Sequence, residues 1–140
     1  MVWSCLVSIL PGMAQTEKLT DYVNPFVGTD GYGNVYPGAQ IPFGGIQISP
    51  DTDSRFYDAA SGYKYNHLTL MGFSLTHLSG TGIPDLGDFL FIPGTGEMKL
   101  EPGTHEDPDQ GYRSRYSHDK EWASPNYYAV ELADYGVKAE

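Results

Sequence analysis

Cysteine is nearly absent: Cys5 is the only one in 140 residues. That excludes a disulfide scaffold and a Cys-based zinc cluster. Basic residues are scarce too, with eight Lys+Arg against 18 Asp+Glu and a formal net charge of −10. Phosphate recognition needs clustered Lys and Arg, so the balance argues against a nucleic-acid partner. No apolar run is long enough for a membrane span, and no repeat, heptad or long amphipathic helix is present. What is abundant is glycine (17), proline (10) and tyrosine (11), while only 19% of residues are charged. That mixture predicts an all-β chain with many tight turns, and the length allows one domain with a modest core.

Residues 1–15 carry no charge. An apolar run over 2–10 is broken by Pro11-Gly12, and Gly12-Met13-Ala14 then reads as a small-x-small cleavage site. Residues 1–14 are expected to be a signal peptide, truncated because its basic start is missing, with export to the periplasm or the exterior. The competing reading is an irregular hydrophobic N-terminus. If the leader is cleaved, Cys5 leaves with it.

Further along, residues 28–45 hold six glycines and two prolines, a long loop rather than a helix. Ile46-Gln47-Ile48 and Leu68-Thr69-Leu70 alternate like short strands. The phase then slips by one residue at Gly72, as a β-bulge would make it do. Phe89 to Ile92, closed by Pro93-Gly94, reads as a fully buried strand. Residues 97–111 form an acidic surface loop. Tyr112 to Ser117 and Tyr127 to Ala133 alternate again, the latter with Tyr128, Val130 and Leu132 on one face. Asp134-Tyr135-Gly136 is a hairpin turn, and residues 137–140 begin the return strand. A strand that stops just after its turn leaves an edge half-paired, so the expectation is a fragment of a larger protein.

Several motifs point to chemistry. Gly31-Tyr32-Gly33-Asn34-Val35-Tyr36 opens like a dinucleotide loop, but the third glycine is missing and Pro37 and Pro42 forbid the helix that must follow. Asp51, Asp53, Asp58, Asp85 and Asp88 lie in or beside Gly-rich loops. Paired carboxylates there suit acid/base work or a hard cation; equally, Asp is a common turn residue. Asp51-Thr52-Asp53-Ser54 lacks the later Gly and Glu of a calcium loop. Phe56, Tyr57, Tyr63 and Tyr65 crowd around Asp58 and Ser61-Gly62. Aromatic faces beside polar groups suit sugars, whose CH face stacks on a ring while carboxylates take the hydroxyls. The same residues could instead be an aromatic β-core. His77 lies in a hydroxyl-rich loop from Ser74 to Gly82, where a structural hydrogen bond is the commoner role; no serine occupies a nucleophile elbow.

At this point the motifs fall into a known order. Residues 21–30 (DYVNPFVGTD) resemble the opening of the glycoside hydrolase family 92 α-mannosidases. Tyr36-Pro37-Gly38-Ala39, Ile41-Pro42-Phe43-Gly44 and residues 47–52 (QISPDT) continue the likeness, as do Ser61-Gly62-Tyr63, residues 72–82 and then Asp85, Gly87 and Asp88. Tyr127-Tyr128 and residues 134–140 also resemble the family, so the likeness runs from about residue 20 to the end.

The resemblance implies an N-terminal antiparallel β-sandwich with long Gly/Pro-rich loops over 21–140, incomplete at its C-terminus. An (α/α)6 barrel would follow, with the active site between the two. It implies calcium-dependent, inverting hydrolysis of α-mannosides, often from N-glycans. One carboxylic acid would protonate the leaving oxygen while a second carboxylate, about 6.5–9.5 Å away, activates water. By the resemblance those carboxylates and the Ca2+ ligands belong to the barrel, so no catalytic residue and no metal ligand is expected in this chain. Its partners would be the α-mannoside glycan and its own C-terminal catalytic domain. What this segment would supply is one wall of the substrate cleft: Tyr57, Asp58, Ser61, Gly62 and Tyr32. Many members carry Trp-Asp-Gly-Cys before Ser-Gly-Tyr, with the Trp facing the leaving-group sugar. Here Tyr57 stands for that Trp, Ala59-Ala60 for Gly-Cys and Lys64 for a frequent His; Tyr32 and Asn34 also replace common histidines. The alternatives are a stand-alone carbohydrate-binding β-module and a sandwich that only scaffolds the barrel.

Overall fold

The computed structural model describes residues 17–53, 57–85 and 87–140, so the expected leader and Cys5 lie outside the described residues. The chain is all-β and antiparallel, as its composition predicts. Strand β1 (Ser49–Asp51) pairs with β3 (Gly72–Ser74), and β2 (Thr69–Leu70) pairs with β4 (Ser114–Arg115). Strands β5 (Glu121–Ser124), β6 (Tyr127–Leu132) and β7 (Val137–Ala139) form a meander. The connections are long loops with single 3-10 turns at Leu19–Tyr22, Tyr57–Ala59, Pro108–Gln110 and His118–Lys120.

The meander follows from local chemistry. Ser124 opposes Tyr127, leaving Pro125-Asn126 as a two-residue loop. Leu132 opposes Val137 across residues 133–136, and Gly136 takes the left-handed φ of +62° that closes the turn. Tyr128, Val130 and Leu132 point to one face, as the alternation predicts, and join Leu70 and Tyr116 in the core. Phe26, Phe73, Ile92, Ala123, Tyr135 and Ala139 pack around them. Leu70, Val130 and Leu132 are fully buried, and each contributes about 1.5–3 kcal/mol through lost contact with water.

Three strand expectations change. Regular pairing starts at Ser49 rather than Ile46; Ile46 and Ile48 stay partly exposed, although Gln47 N–H still reaches Leu75 O at 3.0 Å. The phase slip at Gly72 is a change of sheet rather than a bulge. Residues before it pair with β4 and residues after it pair with β1. At the crossing Met71 N–H bonds Asp51 O, and a Cβ on Gly72 would stand 2.7 Å from Phe91 O. Phe89 to Ile92 is not a buried strand. Phe89 is 77% exposed and its φ of +49° breaks the extended run, so only Phe91 bridges to Phe73. Of Tyr112 to Ser117 only Ser114–Arg115 is strand. Residues 97–111 form the expected acidic loop, exposed over 97–101, with Pro108 and Gly111 buried at the Pro108–Gln110 turn.

Candidate functional site

Three loops meet on one side of the β1–β3 pair. The Tyr57–Ala59 turn runs into a tight corner at Gly62, whose N–H bonds Ala59 O. The Gly62 carbonyl accepts from both Thr52 N–H (2.7 Å) and Asp53 N–H (3.1 Å), which ties this corner to the end of β1. Gly62 has φ +91°, and a Cβ there would stand 2.2 Å from Asp51 Oδ1. The position therefore requires glycine twice over. Ser61 is buried and its Oγ donates to Val35 O at 3.1 Å. That bond, with Gly80 N–H to Asn34 O and Lys64 Nζ to Gly31 O (3.1 Å), draws the 28–36 loop onto the corner.

Of the predicted sugar-binding residues, Tyr32 and Tyr57 come together. Their ring centroids are 6.1 Å apart and tilted by 56°, with 78% and 63% exposure. The Tyr57 ring lies against Gly82, where a Cβ would approach it to 2.3 Å. Lys64 Nζ stands 5.9 Å from the Tyr32 centroid. Ser61 and Gly62 line an adjoining polar cavity of about 290 Å3 together with Asp51, Ala60, His77, Pro84, Asp85 and Gly87. Asp58 belongs to the turn, but its side chain lies outside what is described, as does Phe56. Tyr63 and Tyr65 are elsewhere: Tyr63 is buried with its hydroxyl on Glu121, and Tyr65 stacks on His118 at 3.9 Å. The aromatic crowd thus splits into an exposed pair at the site and a pair elsewhere, with Tyr63 buried and Tyr65 stacked at the surface.

The five loop aspartates also separate. Asp51 and Asp85 share the cavity. Asp53 is buried 3.4 Å from His105 Nε2. Asp88 accepts from Thr76 Oγ1 at 3.2 Å.

His77 is the buried centre of the site. Its Nδ1 is 2.6 Å from Gln47 O, and its Nε2 is 2.9 Å from Asp51 Oδ1 and 3.0 Å from Ser74 Oγ. A carbonyl only accepts, so Nδ1 carries a hydrogen, and one proton lies between Nε2 and Oδ1. The Tyr36 ring covers the imidazole at 4.9 Å, and burial pushes the Tyr36 phenol above its ordinary value. A nucleophilic triad needs serine and aspartate on opposite ring nitrogens. Here both address Nε2, so Ser74, His77 and Asp51 are not one. Among the described residues, no three His, Cys, Asp or Glu side chains converge to hold a metal ion.

Single-sequence reasoning found the Tyr57–Gly62 corner but missed the Asp51–His77 contact. Those residues are 26 apart and meet only because β1 pairs with β3. The Ser74-x-x-His77 spacing was visible; the carboxylate was not.

Fold and site define a class: an all-β domain with a loop-built polar cleft rimmed by exposed tyrosines. The chain belongs to glycoside hydrolase family 92, since the model of the Glycosyl hydrolase family 92 N-terminal domain matches residues 22–140. An uncharacterised secreted glycosidase of Arthroderma benhamiae is 31% identical over 121 residues, 85% of this chain and 15% of that protein. The structure of the GH92 family glycosyl hydrolase ccman5 superposes with a TM-score of 0.66 at 32% identity, covering 86% of this chain and 16% of that one. The GH92 inverting mannosidase BT2199 from Bacteroides thetaiotaomicron gives a TM-score of 0.57 at 27% identity, with the same coverage. The chain thus spans about a sixth of the length of these relatives. No helix among the described residues is long and apolar enough to cross a membrane.

Proposed function

We propose that this chain forms one wall of the substrate cleft of an exported, calcium-dependent, inverting exo-α-mannosidase acting on N-glycans or other α-mannosides. The observation that carries the reading is the family match over 22–140, with an inverting mannosidase among the structural neighbours. The secreted relative supports export. On this reading the acid, the base and the calcium ligands belong to a following catalytic domain.

Within that reading the chain's own residues bind and orient. Tyr57 and Tyr32 offer exposed ring faces for the CH face of a leaving-group sugar, which excludes water from it. Ser61 and Gly62 hold the corner that aims Tyr57, with Asp58 beside it in sequence. A tyrosine in place of a larger tryptophan leaves a smaller stacking face and adds a hydroxyl, which bears on linkage preference.

Two measurements test this. The 140-residue chain is expected to release no mannose from an aryl α-mannoside, with or without calcium, whereas a polypeptide continuing through a catalytic barrel turns it over. Turnover by the short chain overturns the division of labour. In the longer polypeptide, Tyr57→Ala is expected to raise KM about tenfold, the loss of one sugar-stacking contact. An unchanged KM would reduce this domain to a scaffold.

A further inference from the structure

We propose that the 79–82 loop is a brace that sets the angle between the Tyr32 and Tyr57 rings. Gly82 is its positioning residue: the side chain it lacks leaves the seat in which the Tyr57 ring lies. The proposal rests on the cleft reading above and adds the part that holds the tyrosine wall in shape.

Gly82 carries the argument. A Cβ built there would overlap Tyr57 Cε2 and stand 2.5 Å from Cζ and 2.6 Å from the hydroxyl oxygen. The outer end of the Tyr57 ring therefore fills the volume that any other residue at 82 would claim. The backbone does not account for this glycine, because φ at Gly82 lies outside the left-handed region. Gly80 is the opposite case. Its φ is +75° and a Cβ there would touch nothing, so conformation alone calls for glycine at 80. The two glycines of one short loop thus have different causes, and the cause at 82 is the approach of the ring.

The loop is itself held, which lets it hold something else. At its root His77 is buried on Gln47 O and Asp51 Oδ1. At its middle Gly80 N–H bonds Asn34 O at 2.6 Å, two residues past Tyr32. At its end Thr81 Oγ1 donates to Ile83 O at 3.2 Å. One loop therefore reaches both arms of the wall, the segment that carries Tyr32 and the ring of Tyr57. With 6.1 Å between their centroids the two rings touch and leave no slot between them. A ligand is met by the corner they make, and the shape of that corner changes if either ring turns. An exposed side chain that is ordered only when a ligand arrives costs affinity, whereas a ring already seated avoids that cost.

The test reads the rings first and the sugar second. In the 140-residue chain, nuclear Overhauser cross-peaks between the Tyr32 and Tyr57 ring protons are expected. Gly82→Ala is expected to abolish them and to leave the urea midpoint unchanged, because the atoms in its way are the movable end of an exposed side chain. Should Gly82→Ala unfold the chain, a second measurement decides: the Gly82 α-protons lie against the Tyr57 ring and should lose their ring-current shift in Tyr57→Ala. In the longer polypeptide, Gly82→Ala is expected to raise KM for methyl α-mannobioside about threefold at unchanged kcat, a part of the effect of Tyr57→Ala. In a Tyr57→Ala background it should add nothing, since it acts through that ring. The proposal is overturned if the native chain shows neither cross-peaks nor the ring-current shift, if the cross-peaks survive Gly82→Ala, or if Gly82→Ala raises KM as much without the Tyr57 ring as with it. If Tyr57→Ala itself leaves KM unchanged, it is the cleft reading that fails, and the seat of the ring stands or falls on the cross-peaks.

Discussion

Glu121 shows how much one residue organises in this interior. It is 6% exposed, and its carboxylate accepts from Tyr63 OH at 2.9 Å and Tyr128 OH at 2.6 Å, with His118 Nδ1 at 2.6 Å. The other His118 nitrogen lies 2.7 Å from Tyr65 O. Three donors on one buried carboxylate explain why a charge tolerates a site beside the apolar core. Glu121→Gln keeps the volume but brings N–H donors toward donors, so at least one hydroxyl or imidazole loses its acceptor. The expected outcome is a loss of about 2–4 kcal/mol in urea-unfolding stability. A loss below half a kcal/mol would mean that the group adapts as a neutral network. This residue was not legible in the sequence. Tyr63 and Glu121 are 58 positions apart, and nothing local marks either as a partner. Tyr57 and Gly62 were legible because a family motif surrounds them, although the same motif did not separate exposed Tyr57 from buried Tyr63.

Among the elements, legibility follows how local the cause of each one is. Strand β6 and its turn were readable because alternation and Gly136 act within a few residues. Strand β5 was not: Glu121 to Ser124 has no clean alternation and becomes a strand because β6 offers a partner. Phe89 to Ile92 failed for the opposite reason. Its apolar run suggests burial, but two of its first three side chains are more than half exposed and the backbone is left-handed at Phe89. At Gly72 the phase slip was real, and only the tertiary fold decides that it moves the chain between sheets. The core should therefore depend most on β6. Leu132 is fully buried with Leu70, Tyr116 and Val130 in its cluster, and Leu132→Ala is expected to cost about 2–5 kcal/mol. Val137→Ala on half-buried β7 should cost less than about 1.5 kcal/mol. Equal losses in thermal or urea unfolding would contradict a core centred on β6.

At the scale of the whole molecule, the eleven tyrosines make the fold sensitive to alkali. Burial holds the phenols of Tyr63, Tyr116 and Tyr128 well above their ordinary value, and the neighbouring Glu121 carboxylate adds to the shift of each. In the unfolded chain these phenols ionise near pH 10, whereas in the folded chain they stay neutral. A folded-state value above the unfolded one gives stability that is fully present below about pH 10 and declines as pH rises beyond it. Each phenol withdraws about 1.4 kcal/mol per pH unit, so three withdraw about 4. Set against a total of about 5–15 kcal/mol for a domain, that predicts cooperative unfolding one to four units above pH 10. Tyrosinate absorbance and far-ultraviolet dichroism, followed together, check it. The buried three should ionise only as the dichroism collapses. A single smooth titration of all the tyrosines with the β-signal intact would show that these phenols reach water in the folded state, and would contradict an interior organised around Glu121.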